Sequence, residues 1–293
     1  MRKEFERMKK EFVGKKETKS NLLSLSLLNG AKLGKIHSIF VTTFNILIGD
    51  QLIHFGREKM PVSAHGVIIR KVLMDELLEN GQVGDIVRYK NGVFTVYTRK
   101  KLINIKIEGM DETDLTLPSI GLSKEEIKNQ PLFEQLNQFP FWEHIGIASD
   151  EKIKQYAADL ENFSRITEQV KMDLLQYLIG RGGGLTPSGD DLVVGFTMAQ
   201  KIFNDTSDWD QLLKEMLTQR NTTDISKAYY KAALKGYFSE LFIVLVRALE
   251  WASEENVENI ISLVRTYGHT SGTDTLFGFT LGLRSIINEK RDN

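Results

Sequence analysis

The chain has 293 residues, with 38 Lys+Arg against 39 Asp+Glu for a formal net charge of −1, and 41% of its residues are hydrophobic. So even a balance excludes a general nucleic-acid binder, and the composition is that of a folded protein rather than a disordered or collagen-like one. The absence of cysteine excludes disulfides, thiolate metal sites, iron–sulfur ligation and a Cys nucleophile.

In chain order, residues 1–21 open with eight Lys/Arg and four Asp/Glu, and Phe5, Met8 and Phe12 stand at helical spacing. They predict a helical N-terminal arm. No apolar core of the kind a signal peptide needs is present there. The longest apolar run, Leu241 to Val246, stops at Arg247, well short of the ~20 residues that span a bilayer. A cytoplasmic protein with neither membrane nor nucleic acid as partner is expected.

From 22 to 108 the pattern is of short β-type runs: LLSLSLL, IHSIFVTTFNILIG, QVGDIVRYK, VFTVYT and LINIKI. Asn91-Gly92 between two alternating runs is a strong hairpin signal. This half predicts a small antiparallel β-domain, sandwich or barrel-like. Residues 109–122, with two Gly, one Pro and three acids, read as a linker. From 123 to 293 the period is helical. Ile153, Tyr156, Leu160, Phe163, Ile166, Val170, Leu174 and Leu178 predict one long helix, and further helices follow to the C-terminus. The fold class is therefore α+β, a β-domain followed by an all-α domain.

The chemistry concentrates in GRGGGLTPSGDDLVVGF, Gly180 to Phe196. Its glycines, Gly182, Gly183 and Gly184 among them, let backbone N–H groups face a ligand. Thr186, Ser188 and a helix start follow, an arrangement that suits phosphate or carboxylate. The P-loop pattern fails because no Lys follows, GxGxxG fails at its third glycine, and GxSxG is absent, which leaves Ser188 unsupported as a hydrolase nucleophile. A second stretch, Tyr267 to Leu283, repeats S-G-x-D-x-x-x-G-F-T at a spacing of 271 − 188 = 83 residues. Capping boxes explain the spacing of Ser188 to Asp191 and of Ser271 to Asp274. They do not explain Asp190, the glycine run, Thr186, His269 or Thr270. A third helix start, NTTDIS, adds Thr222 and Thr223.

Three hydroxyl-rich helix starts predict one anion-accepting pocket. In it Gly182, Gly183, Gly184, Thr186, Ser188, Gly189, Asp191, Thr222, Thr223, Thr270, Ser271, Gly272 and Asp274 hold phosphate or a substrate carboxylate. Asp190 and His269 are the candidate catalytic, proton-handling residues. On that basis Asp190→Asn is expected to abolish activity with little change in melting, and a large loss of stability assigns Asp190 a structural role. No cofactor is required; Asp190 and Asp191 are candidate Mg²⁺ ligands, although adjacent helical carboxylates diverge by about 100°. In the N-terminal half, His65, Gly66, Arg70 and Lys71 form a basic stretch that is a weaker anion-site candidate.

GGLTPSGDD, TTDIS and GHTSGTD, in that order across residues 180–283, resemble a bacterial family that includes the AllH-type subunit of oxamate carbamoyltransferase. The β-rich N-terminal half is similar to it as well. The resemblance implies an assembly of three kinds of subunit in anaerobic purine (allantoin) degradation, converting oxalurate and phosphate to oxamate and carbamoyl phosphate. It carries functional weight to Gly183, Gly184, Thr186, Pro187, Ser188, Gly189, Asp190 and Asp191, and to Gly268, His269, Thr270, Ser271, Gly272 and Asp274. Thr273 departs from it, standing where the family pattern carries a Trp. Two alternatives remain open: a non-catalytic anion-binding scaffold subunit, and a stand-alone Mg²⁺-dependent acyl- or phosphate-transfer enzyme.

Overall fold

The computed structural model describes residues 17–26, 31–203 and 207–289. Residues 1–16 of the expected arm lie outside them. In chain order the elements are β1 (Thr18–Ser20), α1 (Asn21–Ser26), β2 (Lys32–Ile39), β3 (Phe44–Ile48), β4 (Gln51–Arg57), β5 (Gly66–Ile69), α2 (Lys71–Asn80), β6 (Ile86–Lys90), β7 (Val93–Tyr97), β8 (Leu102–Lys106), β9 (Asp111–Thr113), α3 (Lys124–Lys128), α4 (Pro131–Gln138), α5 (Glu151–Glu161), α6 (Glu168–Leu178), α7 (Ser188–Ile202), α8 (Ser207–Gln219), α9 (Asp224–Leu234), α10 (Glu240–Trp251), α11 (Glu254–Arg265) and α12 (Ser271–Asn288). The β-rich half thus precedes a helical half, as the periodicities predict. No helix among the described residues is long and apolar enough to cross a membrane.

The chain forms two compact units, one of residues up to Thr116 with Tyr237–Glu240, the other of Leu117–Gly236 and residues from Leu241 onward. The first is a curled nine-stranded sheet in the order β8-β7-β6-β2-β3-β4-β5-β1-β9. Neighbours are antiparallel except β4 with β5 and β1 with β9. Strict alternation builds the core: Val87, Tyr89, Phe94, Val96, Ile103 and Ile105 point inward, packing with Phe44, Phe55 and with Met74 and Leu77 of α2. Asn91 and Gly92 both have positive φ, 49° and 73°, so the β6–β7 hairpin closes on the type I′ turn that Asn-Gly favours.

Before the helical unit, the structure departs from the predicted pattern at four places. Thr18–Ser20 of the expected arm is strand β1. Residues 21–26 are helical rather than extended, because Ser20 Oγ accepts from Leu22 N and turns the chain. Helix α2 interrupts the strands, with Leu73, Met74, Leu77 and Leu78 at helical spacing. The expected linker is ordered: β9 pairs with β1, and Thr116 bridges Tyr237 where the chain returns.

The helical unit is organised on α7 and α12, whose residues are buried almost throughout, as expected for helices apolar on every side. The predicted long helix from 153 to 178 is two helices, α5 and α6. Thr167 caps α6 by accepting from Val170 N, and Phe163–Arg165 form a 3₁₀ turn; the apolar period runs on because both helices face the same core. Gly195 and Gly278 set the α7–α12 crossing. A Cβ on Gly195 would stand 2.0 Å from Thr275 O, and one on Gly278 1.9 Å from Leu192 O. Gly278→Ala is expected to cost about 3 kcal/mol through overpacking. It should lower the melting temperature by about 6–12 °C; an unchanged melt would show that the crossing has slack.

Candidate functional site

The chain leaves α6 at Leu178 and crosses to α7 through an exposed segment, Arg181–Leu185. Gly180, Gly182 and Gly184 have φ of 76°, 117° and 85°, a conformation that residues with a Cβ rarely adopt. Gly183 and Gly184 face open space, and Gly182 lies against the first amide of α7. Among the described residues, no protein acceptor takes the N–H groups of Gly182, Gly183 or Gly184. A run of open amides of this kind accepts an anion.

Asp190 holds the loop in place. Its Oδ1 accepts from Gly180 N and Tyr230 OH, each at 2.8 Å, and its Oδ2 accepts from Thr222 Oγ1. Burial first, and then the Asp190 charge, push the Tyr230 phenol well above its ordinary pKa, so it stays a donor. Thr223 caps α9 by accepting from Ser226 N at 3.0 Å and donates to Leu185 O at 2.5 Å. Thr222, Thr223 and Asp190 therefore clamp the glycine loop from below. The expected proton-handling Asp190 is a buried anchor with three donors on it.

Ser188 and Ser271 are not N-caps. Each is the first residue of its helix, behind Pro187 or Thr270, and neither cap makes a side-chain hydrogen bond, so the capping boxes do not form. The two acids instead reach across. The hydroxyls of Ser271 of α12 and of Thr186 favour the charged form of Asp191 of α7, those of Thr270 and of Ser188 of α7 favour that of Asp274 of α12, and Asp274 Oδ1 accepts from Gly146 N at 2.8 Å. Thr186 Oγ1 and Ser271 Oγ are 2.8 Å apart. Gly146 floors the cluster, because a Cβ there would lie 2.3 Å from Ser188 Oγ. The remaining oxygens, Asp191 Oδ2 and Asp274 Oδ2, are buried without a hydrogen-bond partner.

Burial raises the pKa of Asp191 well above its ordinary 3.8, against the hydroxyls of Ser271 and Thr186, and the charges of Asp274 and Asp190 raise it further. Burial raises Asp274 as well, opposed by Gly146 N–H, Thr270 and Ser188. Two carboxyls that resist ionisation, set side by side, are suited to holding and passing a proton.

The other expected residues take different places. Gly189 and Gly272 are packing positions, each with its would-be Cβ 2.1 Å from a carbonyl, of Leu178 and Val264 respectively. Their amides donate to Arg181 O and Tyr267 O, so the helix N-termini offer a ligand fewer N–H groups than expected. His269 is exposed, with no hydrogen bond to a described residue. Arg70 and Lys71 pair with Glu17 and Asp75 within the β unit. Asp190 and Asp191 serve separate partners, and no group of three or more His, Asp or Glu among the described residues is placed to hold a metal ion. Tyr230 and Gly146 carried no sequence signal, since their partners lie 40 and 128 residues away.

Two predictions follow from this geometry. Asp190→Asn replaces an acceptor by a donor facing Gly180 N–H, Tyr230 or Thr222, and is expected to cost about 3 kcal/mol in urea unfolding; no loss would free Asp190 for chemistry. Because Asp191 and Asp274 bind protons more tightly folded than unfolded, stability should fall as the pH rises above their ordinary 3.8 and level off beyond their raised values. Asp191→Asn should flatten that slope and raise the urea midpoint at neutral pH; an unaltered slope would mean Asp191 ionises freely.

Residues 178–283 match the family model described as oxamate carbamoyltransferase subunit AllH. No solved structure matches the chain. The matched segment runs from the end of α6 into α12 and holds the glycine loop, the α9 clamp and both acids. Over residues 178–283, the helical unit of this chain is similar to the AllH family, whose name indicates a subunit of oxamate carbamoyltransferase.

Proposed function

We propose that the chain is a working subunit of a carbamoyltransferase in anaerobic allantoin degradation, joining phosphate to the carbamoyl group of oxalurate and releasing oxamate. The observation that carries this reading is the buried Asp191–Asp274 pair, with its raised proton affinity, beneath a loop of open amides. The N–H groups of Gly182, Gly183 and Gly184 hold the phosphate. A phosphate oxygen attacks the carbamoyl carbon, the new C–O bond forms, and the C–N bond to the oxamate nitrogen breaks. That nitrogen is a poor leaving group as an anion and needs a proton. A carboxyl whose hold on its proton is strengthened by burial supplies it, and the resulting carboxylate regains a proton from the attacking phosphate as the cycle closes. Hydroxyls of Ser188, Ser271, Thr186 and Thr270 orient the two acids. No step uses a metal ion, and the other subunits complete the site.

A second reading, a non-catalytic subunit that binds a small anion and scaffolds its partners, is favoured by the burial of both unpartnered carboxylate oxygens. Turnover of oxalurate by the assembled complex separates the two. Asp191→Asn and Asp274→Asn should each lower kcat by about 100-fold or more while phosphate still binds, the scale of a lost general acid. A kcat left intact in both variants would establish the scaffold instead, and loss of activity on chelation would return a metal to the chemistry.

A further inference from the structure

Strands β2, β6, β7 and β8 carry an outer face unlike the rest of the sheet. Register places Ile86 opposite Tyr97 and Tyr97 opposite Leu102, a continuous apolar row across three strands, with Leu33 on the same face opposite Arg88. These side chains are 57%, 39%, 60% and 70% exposed, for Ile86, Tyr97, Leu102 and Leu33 in turn. Lys35, Arg88, Lys90 and Lys106 share the face, and no Asp or Glu points outward from these four strands. Lys106 is within 3.9 Å of Glu108, which follows β8; Lys35, Arg88 and Lys90 pair with no described acid. Among the described strands β8 pairs with β7 alone, so its other edge leaves backbone donors and acceptors for one more strand.

We propose that this face docks an acidic extended segment of another polypeptide, added as a strand to β8 with its apolar residues on the Ile86–Tyr97–Leu102 row and its carboxylates on the flanking cations. The cations require a partner of negative charge. The aliphatic side chains require a protein rather than a nucleic acid, because bases stack on aromatic platforms and Tyr97 is the face's one exposed ring. The chain's own first 20 residues, with eight Lys/Arg against four Asp/Glu, have the wrong sign to fill it.

The test is fluorescence anisotropy of the full chain with a labelled short peptide alternating Glu and Val. Binding is expected, weakening with salt, and about tenfold weaker in Arg88→Glu and in Leu102→Asp. Both residues are exposed, so melting should be unchanged in each. A peptide alternating Lys and Val should not bind. The proposal is overturned if the acidic peptide fails to bind, if the lysine peptide binds equally, if oligo-dT binds more tightly than either, or if Arg88→Glu instead dissociates a dimer of this chain in sedimentation. Peptide binding is read without turnover, so its failure leaves carbamoyl transfer untouched.

Discussion

Backbone-to-backbone contact between α7 and α12 is the constraint on which the site depends. Glycine at 195 and 278 lets the helices approach until each lies against a carbonyl of the other. Only at that separation do their N-termini meet, so that the leading serine of each helix bears on the acid of the other. Two opposing effects then act on the carboxyls. The partial positive charge of a helix N-terminus favours ionisation by at most about 2 kcal/mol, while removal from water and the proximity of like charges disfavour it. The raised pKa of both acids shows that desolvation prevails.

The repeated S-G-x-D-x-x-x-G-F-T pattern encodes one module twice. In each copy the second glycine seats on the next helix over, the threonine at the end bonds the carbonyl four residues earlier, from Thr197 to Val193 O and from Thr280 to Leu276 O, and the leading Ser-Gly packs against the preceding helix. The equivalence stops at the loops. The first copy is entered through an open run of glycines held down by Asp190, Thr222 and Thr223, the second through Gly268 and an exposed His269. One acid pair thus lies between two unlike loops.

Much of this was legible in the sequence. The hairpin at Asn91-Gly92 and the helix starts could be read because they are local. The residues of the cluster were found too, but their roles were not. An S-x-x-D capping box and an aspartate that reaches a neighbouring helix have the same spacing, and the helices begin one residue earlier than the caps require. The duties of Asp190 were hidden because Gly180, Thr222 and Tyr230 meet it only after α9 has folded back. The merged α5–α6 helix shows the same limit, since an apolar period survives a break when both segments face one core.

Burial should let Asp191 and Asp274 hold a proton at a pH where ordinary aspartates have lost theirs. Carbon-13 NMR of the side-chain carboxyls in aspartate-labelled protein reads this directly. Titration should show two resonances that remain at the protonated shift after the other aspartates have ionised, one vanishing in Asp191→Asn and the other in Asp274→Asn. If both carboxyls instead titrate with the remaining aspartates near their ordinary pKa, the pair is ionised at neutrality and cannot act as the proton donor.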